Sequence, residues 1–237
     1  MVIGPIEYSD RDTVVTAFEE GEKRLLALGV IACSYHLTPP FHSQIGKKTV
    51  FVHAGFAPEL IQRYLDPSVF EADPIPDYVM SAGHSMTWKQ AISAQKLDPS
   101  QTDFVKEWIA HGLVDGIAVP LFGPNGRNSY SAFMFETKAQ SFDQGLIARV
   151  IDSAQFTHRK ICALVARDLR RPVKVSNRES EVIYWMARGK SNNDIGTILG
   201  ISHGTVDTFV RRLYAKLEVN DRVSAVVQGM GRGLVSI

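Results

Sequence analysis

The chain has 237 residues, of which 45% are hydrophobic and 22% charged, with a formal net charge of +1. This is the composition of a globular protein long enough for two modest domains, and it excludes a disordered or fibrous chain. Near-neutral charge also excludes a general polyanion binder, so any contact with nucleic acid has to come from a local basic surface.

The opening residues, MVIGPIEYSDRDTV, have no basic flank followed by an apolar run, so no secretory signal is expected there. No apolar stretch approaches the roughly 20 residues that span a bilayer. A cytoplasmic protein without membrane contact is expected. Cys33 and Cys162 stand far apart in apolar contexts without metal-ligand spacing and are expected as buried thiols, with no metal site and no cofactor.

From Asp10 to Leu28, Val14, Val15, Phe18, Leu25 and Leu26 recur near helical spacing, which predicts an opening helix. Two strand-like runs follow, GVIACSYHL and KTVFVHAG, separated by the loop TPPFHSQIGK. Helical pieces are predicted over Pro58 to Tyr64, Pro74 to Ser81 and Ser100 to His111. The strand-like runs GIAVPLFG and YSAFMFET then flank PNGRNS, whose Asn-Gly pair suits a tight turn. Ser141 to Leu169 is one apolar-periodic segment that should pack across the sheet. This order predicts an α+β fold, with helices layered on an antiparallel sheet and able to enclose an apolar ligand.

The stretch RDLRRPVKV, with its charge and Pro172, marks a boundary near Arg170. The expected domains are 1–169, a linker at 170–175, and 176–237. In the second domain Ser176 and Glu179 form a capping-box pattern, followed by inward Val182, Ile183 and Met186 and a stop at Gly189. Ser191 or Asn192 can cap the next helix, which Gly200 closes. Ser202 caps a third, on which Val206, Val210, Leu213 and Leu217 make one apolar stripe. Its other surface carries Gly204, Thr205, Thr208, Arg211 and Arg212, small near the amino end and cationic beyond it. A final helix capped by Asn220 finishes the local core or exposes a seam for a second subunit. Two short helices, a turn and a basic face suit a helix-turn-helix, while a compact bundle with a solvated charged face is the plainer alternative.

The segment from Ser176 onward resembles the DNA-binding domain of LuxR-type transcriptional regulators, with Glu179, Gly189, Thr205, Val206, Lys216, Leu217 and Arg222 at the family's positions. The resemblance implies an all-α four-helix domain that contacts double-stranded DNA through Asn192, Asn193, Gly204, Thr205, Thr208, Arg211, Arg212 and Lys216, as a homodimer on a palindromic operator. Asp207 and Phe209 depart from the family's pattern. Asp207 beside a phosphate would repel it, and Phe209 is expected to pack against the second helix.

Asp10 to Leu169 is similar to the autoinducer-binding domain of the family's quorum-sensing members, on the ordered positions Tyr64, Asp73-Pro74, Trp88 and Gly116. This implies an α-β-α sandwich around an N-acyl-homoserine lactone or a related small molecule. Asp73 can accept the ligand N–H or merely cap a helix; Trp88 and Tyr64 can line a pocket or be ordinary core aromatics. Leu60 stands where the family usually has a Trp donor, Phe56 where some members have Tyr, and Ala132 where some have Ser or Thr, with Ser131 one residue away. The pocket is therefore expected to be short of donors. The chain reads as an atypical member, with Tyr35 or Ser131 as substitute donors, or with Phe56, Phe133 and Phe135 filling the space. The alternatives are an orphan regulator that folds and acts without a lactone, or one that pairs with and blocks another family member. No histidine has a nucleophile or metal partner at a recognisable spacing, so no catalytic residue is assigned.

Overall fold

The computed structural model describes residues 2–3, 11–37, 50–113, 115–136, 143–168 and 173–236. The chain forms two compact units, the first holding the sheet and its helices and the second composed chiefly of residues 166–237. In order, the first contains β1 (Val2–Ile3), α1 (Arg11–Leu26), β2 (Val30–Leu37), β3 (Val50–Ala54), α2 (Pro58–Tyr64), α3 (Pro67–Glu71) and α4 (Ile75–Ala82). It continues with β4 (Met86–Thr87), α5 (Trp88–Ser93), α6 (Pro99–Ala110), β5 (Ile117–Leu121), β6 (Ser129–Phe135) and α7 (Gln144–Asp168). The expected loop TPPFHSQIGK and the connector from 169 to 172 lie outside the described residues.

Among the described residues the sheet has six strands in the order β1-β3-β2-β6-β5-β4, every neighbouring pair antiparallel. Its register places Tyr35 opposite Ser131 and Val52, and Ser34 opposite Ala132 and His53. Successive residues of a strand face opposite sides. Tyr35, Ser131 and Phe133 therefore face α1 and α7, where the Tyr35 hydroxyl lies 2.8 Å from His158 Nδ1. Gly21 lets those two helices close up, since a Cβ there would meet Thr157 Oγ1 at 2.4 Å. On the other face lie Ser34, His36, Phe51, Tyr130 and Ala132, beneath α2 to α6. The layers make an α-β-α sandwich.

Local chemistry explains most boundaries. Asp98 caps α6 with Gln101 answering it, and Pro99 stands in the first turn. Asn125 and Gly126, at φ 57° and 70°, make the tight turn between β5 and β6. The elements not expected from the sequence are short: β1, α3, β4 and α5 have 2, 5, 2 and 6 residues, too few for a period to register. The α5 boundary was nonetheless encoded, because Thr87 and Gln90 form a capping box.

The second unit consists of α8 (Asn177–Ala187), α9 (Asn192–Leu199), α10 (His203–Leu217) and α11 (Arg222–Gly231). Ser176, Ser191 and Ser202 cap the first three. Asp221, not Asn220, caps α11, because its carboxylate is the acceptor that reaches the Ser224 amide, at 2.8 Å. The core is Val182, Ile183, Met186, Ile195, Val206, Val210, Leu213, Leu217 and Ala225, with Val235 closing one side.

Gly116 joins the fold to the cavity. A Cβ there would stand 2.5 Å from the Phe133 carbonyl and 2.7 Å from the Trp88 ring. Gly116→Ala should therefore destabilise the first unit by about 1–3 kcal/mol, the usual cost of overpacking. The check is a lower denaturation midpoint at unchanged slope; an unchanged midpoint would contradict the packing described.

Candidate functional site

Between the sheet and α2 to α6 lies a cavity of about 60 Å³, where one water needs roughly 10–15 Å³. Phe56, Leu60, Tyr64, Asp73, Trp88 and Ala132 all line it. The seventh residue expected there, Ser131, does not. It is on the face toward α1 and α7, as are Tyr35 and Phe133, and Phe135 has the same parity on β6. None of these can supply a donor or a filler to the cavity, because a one-residue step along a strand reverses the side chain.

The Tyr64 hydroxyl donates to Asp73 Oδ2 at 2.8 Å, and the Ile75 amide donates to Asp73 Oδ1 at 3.0 Å. Asp73 thus caps the start of α4 and lines the cavity at once. Desolvation pushes its pKa up to about 6, against the pull of the Ile75 and Tyr64 hydrogen bonds. Burial also drives the Tyr64 and Tyr130 hydroxyls well above their ordinary range, with the nearby Asp73 charge adding to it. Trp88 is 6% exposed, and its indole Nε1 is buried without a hydrogen-bond partner among the described residues.

Several wall residues were not singled out in the sequence. Trp108 stacks on Phe104 at 4.3 Å and, with Tyr130, Ser34 and His36, faces the same space. Ser34 and His36 could have been found from strand alternation, since they share parity on β2. Trp108 could not, because its place depends on how α6 packs.

In the second unit α9, a turn at Gly200 and α10 form the helix-turn-helix. Gly200 has φ 65°, and the Ile201 amide donates to the Gly196 carbonyl at 3.0 Å. Gly196 keeps the turn tight, as a Cβ would stand 2.9 Å from the Ile201 carbonyl. Asn193, Gly204, Thr205, Arg211 and Arg212 are exposed and Thr208 is half-buried. Nothing stands within 4 Å of a Cβ built on Gly204. Phe209 is half-buried against the core, with the Arg212 guanidinium 5.9 Å from its ring centre.

Two of the expected DNA contacts are engaged inside the domain. Lys216 Nζ lies 2.6 Å from Glu179 Oε2 and donates to the Lys174 carbonyl at 2.9 Å. Asn192 donates to Asp207 Oδ1 at 2.7 Å and accepts from Arg222 at 3.2 Å. These bonds give both residues a structural role inside the domain. Asp207, with His203 Nδ1 3.3 Å from its other oxygen, is likewise tied to α9 and to its own helix. Arg222 also donates to the Met186 and Lys190 carbonyls, satisfying the open end of α8.

No helix among the described residues is long and apolar enough to cross a membrane. No group of three or more potential metal ligands occurs among them either.

Residues 13–161 match the family model of the autoinducer binding domain, and residues 174–228 match that of the bacterial regulatory proteins of the luxR family. The chain is 29% identical over 168 residues to an HTH-type transcriptional regulator of Sinorhizobium fredii, covering 70% of this chain and 51% of that protein, about half its length. It is 24% identical over 214 residues to the transcriptional activator protein LuxR of Aliivibrio fischeri, covering 87% and 84%. The quorum sensing-dependent transcriptional regulator RpaR of Rhodopseudomonas palustris is 24% identical over 183 residues, covering 77% and 74%. Among solved structures, SdiA of Escherichia coli superposes with a TM-score of 0.67 at 17% identity, covering 96% of this chain and 94% of that one. A structure of SdiA with octanoyl-rac-glycerol gives 0.62 at 18% identity, covering 96% and 92%. At these identities the structural likeness is one of fold.

Burial would raise the Glu179 pKa, but the hydrogen bonds from Lys216 and Ser176 outweigh it and hold the carboxyl below 4.5. A depressed carboxyl stabilises the fold above its unfolded value, so this contribution is full above pH 4.5 and lost as the pH falls below it. Glu179 is 2% exposed and Lys216 37%. Lys216→Ala should therefore cost the second unit about 2–3 kcal/mol at pH 7, somewhat less than a fully buried pair. Denaturation at pH 7 and pH 3.5 checks this: the difference between variant and wild type should shrink at the lower pH.

Proposed function

The chain belongs to the autoinducer-binding regulators of the LuxR family, and on that premise we propose that it is a ligand-gated, dimeric DNA-binding protein. It is a transcription regulator of quorum-sensing type. Its relatives are transcription regulators, not enzymes. The observation that carries the gating is the cavity between sheet and helices, where the Tyr64–Asp73 pair and the unpartnered Trp88 indole face the same space. A ligand N–H donates to the Asp73 carboxylate, a ligand carbonyl accepts from Trp88 Nε1, and the rest packs on Phe56, Leu60 and the other apolar walls. An N-acyl-homoserine lactone or a related small molecule has these groups. SdiA, with the same fold, takes octanoyl-rac-glycerol, a neutral molecule with an apolar chain.

Ligand binding to the native first unit orders it and shifts the population toward the DNA-competent dimer. The division into a sensor at 1–169, a linker at 170–175 and a reader at 176–237 follows from this reading. One reader makes few base contacts, and two on a palindromic operator multiply them. The surface offered to DNA is Asn193, Gly204, Thr205, Thr208, Arg211 and Arg212, with Asn192 and Lys216 at its edge held by partners inside the domain. The small residues let α10 approach base edges, while the guanidinium groups reach phosphate.

The small cavity also supports ligand-free folding. The melting temperature of protein purified without signal, alone and with lactones of graded chain length, separates the two readings. A rise of several degrees with one lactone shows selective binding to the native state, as gating requires; a cooperative melt indifferent to all of them points to a different signal or to ligand-free folding.

Two further outcomes are expected. Because an N–H donor stabilises the ionised carboxyl, lactone affinity should be about tenfold lower at pH 5 than at pH 7, following the Asp73 pKa near 6. His36, pushed down to about 3, stays neutral throughout. A pH-independent affinity by calorimetry would remove Asp73 from the ligand. Arg211→Ala should weaken operator binding and reduce the slope of log affinity against log salt by about 1; an unchanged slope would exclude a phosphate contact.

A further inference from the structure

We infer that His36, with Ser34 behind it, is a second polar contact of the sensor cavity, bonding a carbonyl or hydroxyl oxygen on the arm of the ligand. The inference rests on the ligand-gated reading above. His36 is 5% exposed, and its Nδ1 is buried without a hydrogen-bond partner among the described residues. Buried polar atoms of native proteins are nearly always paired, so an orphan on a cavity wall marks the place where a ligand atom belongs.

The ring is held in one orientation. It meets Phe51 edge-on at 4.7 Å and Tyr130 at 5.1 Å, and stacks on Phe70 at 5.9 Å. Ser34 Oγ lies 3.0 Å from Nε2. A serine hydroxyl can turn to donate or to accept. When it donates to Nε2, the ring proton sits on Nδ1, which then donates to a carbonyl. When Nε2–H donates to Ser34, Nδ1 is a lone pair that accepts from a hydroxyl. Ser34 thus lets one neutral imidazole read either oxygen, and the apolar surroundings that hold the ring neutral leave no cation for an acidic group.

The fold separates this contact from the head group. Trp88 packs with Ile75, Val79, Ala118 and Tyr130, whereas His36 packs on Phe51, Tyr64 and Phe70 and touches the Trp88 cluster at Tyr130. Asp73 lies between them, accepting from Ile75 on the Trp88 side and Tyr64 on the His36 side. A ligand whose N–H sits on Asp73 and whose ring lies on Trp88 therefore extends its arm toward His36.

The test is calorimetry on the full chain at pH 7 with three probes: N-hexanoyl-, N-(3-oxohexanoyl)- and N-(3-hydroxyhexanoyl)-homoserine lactone. The two oxygenated probes should bind wild type about three- to tenfold more tightly than the hexanoyl probe, the worth of one hydrogen bond. His36→Leu should abolish that preference, so that the oxygenated and hexanoyl probes bind alike. Should His36→Leu fail to melt cooperatively, Ser34→Ala carries the test: it removes only one hydroxyl and should reduce the preference at least about twofold. Equal binding of all three probes by wild type overturns the inference. So does a preference that survives the substitutions, or an equal loss for all three probes. If no probe binds wild type, the gated reading itself falls and this inference falls with it.

Discussion

The pairing of β2 with β6 puts Tyr35 against Ser131 and Ser34 against Ala132, and the two faces of the first unit follow from it. On one face Tyr35 reaches His158 of α7, and Gly21 lets α1 close on Thr157. On the other, Ser34, His36, Tyr130 and Ala132 form the floor of the cavity. A slip of one residue would exchange these sets, placing Phe133 in the cavity and Tyr130 against α7. Because both faces are covered, both sets hold the register in place.

Around that cavity the polar groups are few and uncharged or readily neutralised. Asp73 is pushed up to about 6 and His36 down to about 3, both chiefly by desolvation. The walls suit a neutral ligand, and each unpartnered atom costs stability until a ligand meets it. On the proposed reading, a ligand that meets Trp88 Nε1 and His36 Nδ1, two cavity-residue atoms left unpaired among the described residues, stabilises the fold as it binds.

The reader domain settles its polar groups internally instead. Glu179 is buried, answers Ser176 at the start of α8 and holds Lys216 of α10. Arg222 of α11 ties the end of α8 to Asn192 of α9, which in turn holds Asp207 of α10. Charged side chains thereby fix the four helices to one another. Asp207, read in isolation as a repulsive charge on the DNA-facing helix, is an acceptor in this network. Among its exposed cations, Arg211 and Arg212 stand on the surface proposed to meet phosphate.

The sequence by itself determined the longer elements, the serine caps of α8 to α10, the family and six of the residues that line the cavity, because periodicity, capping chemistry and motif spacing are local. It did not determine α3, β4 or α5, which are too short to show a period. Only the tertiary structure decided that Ser131 turns away from the cavity while Ser34 and His36 turn toward it, since that depends on strand pairing between distant segments. The same holds for Lys216 and Asn192. Each is polar and suited to DNA by type, and each is also held by a partner 37 residues away in one case and 15 in the other, which only the packing of helices brings within reach.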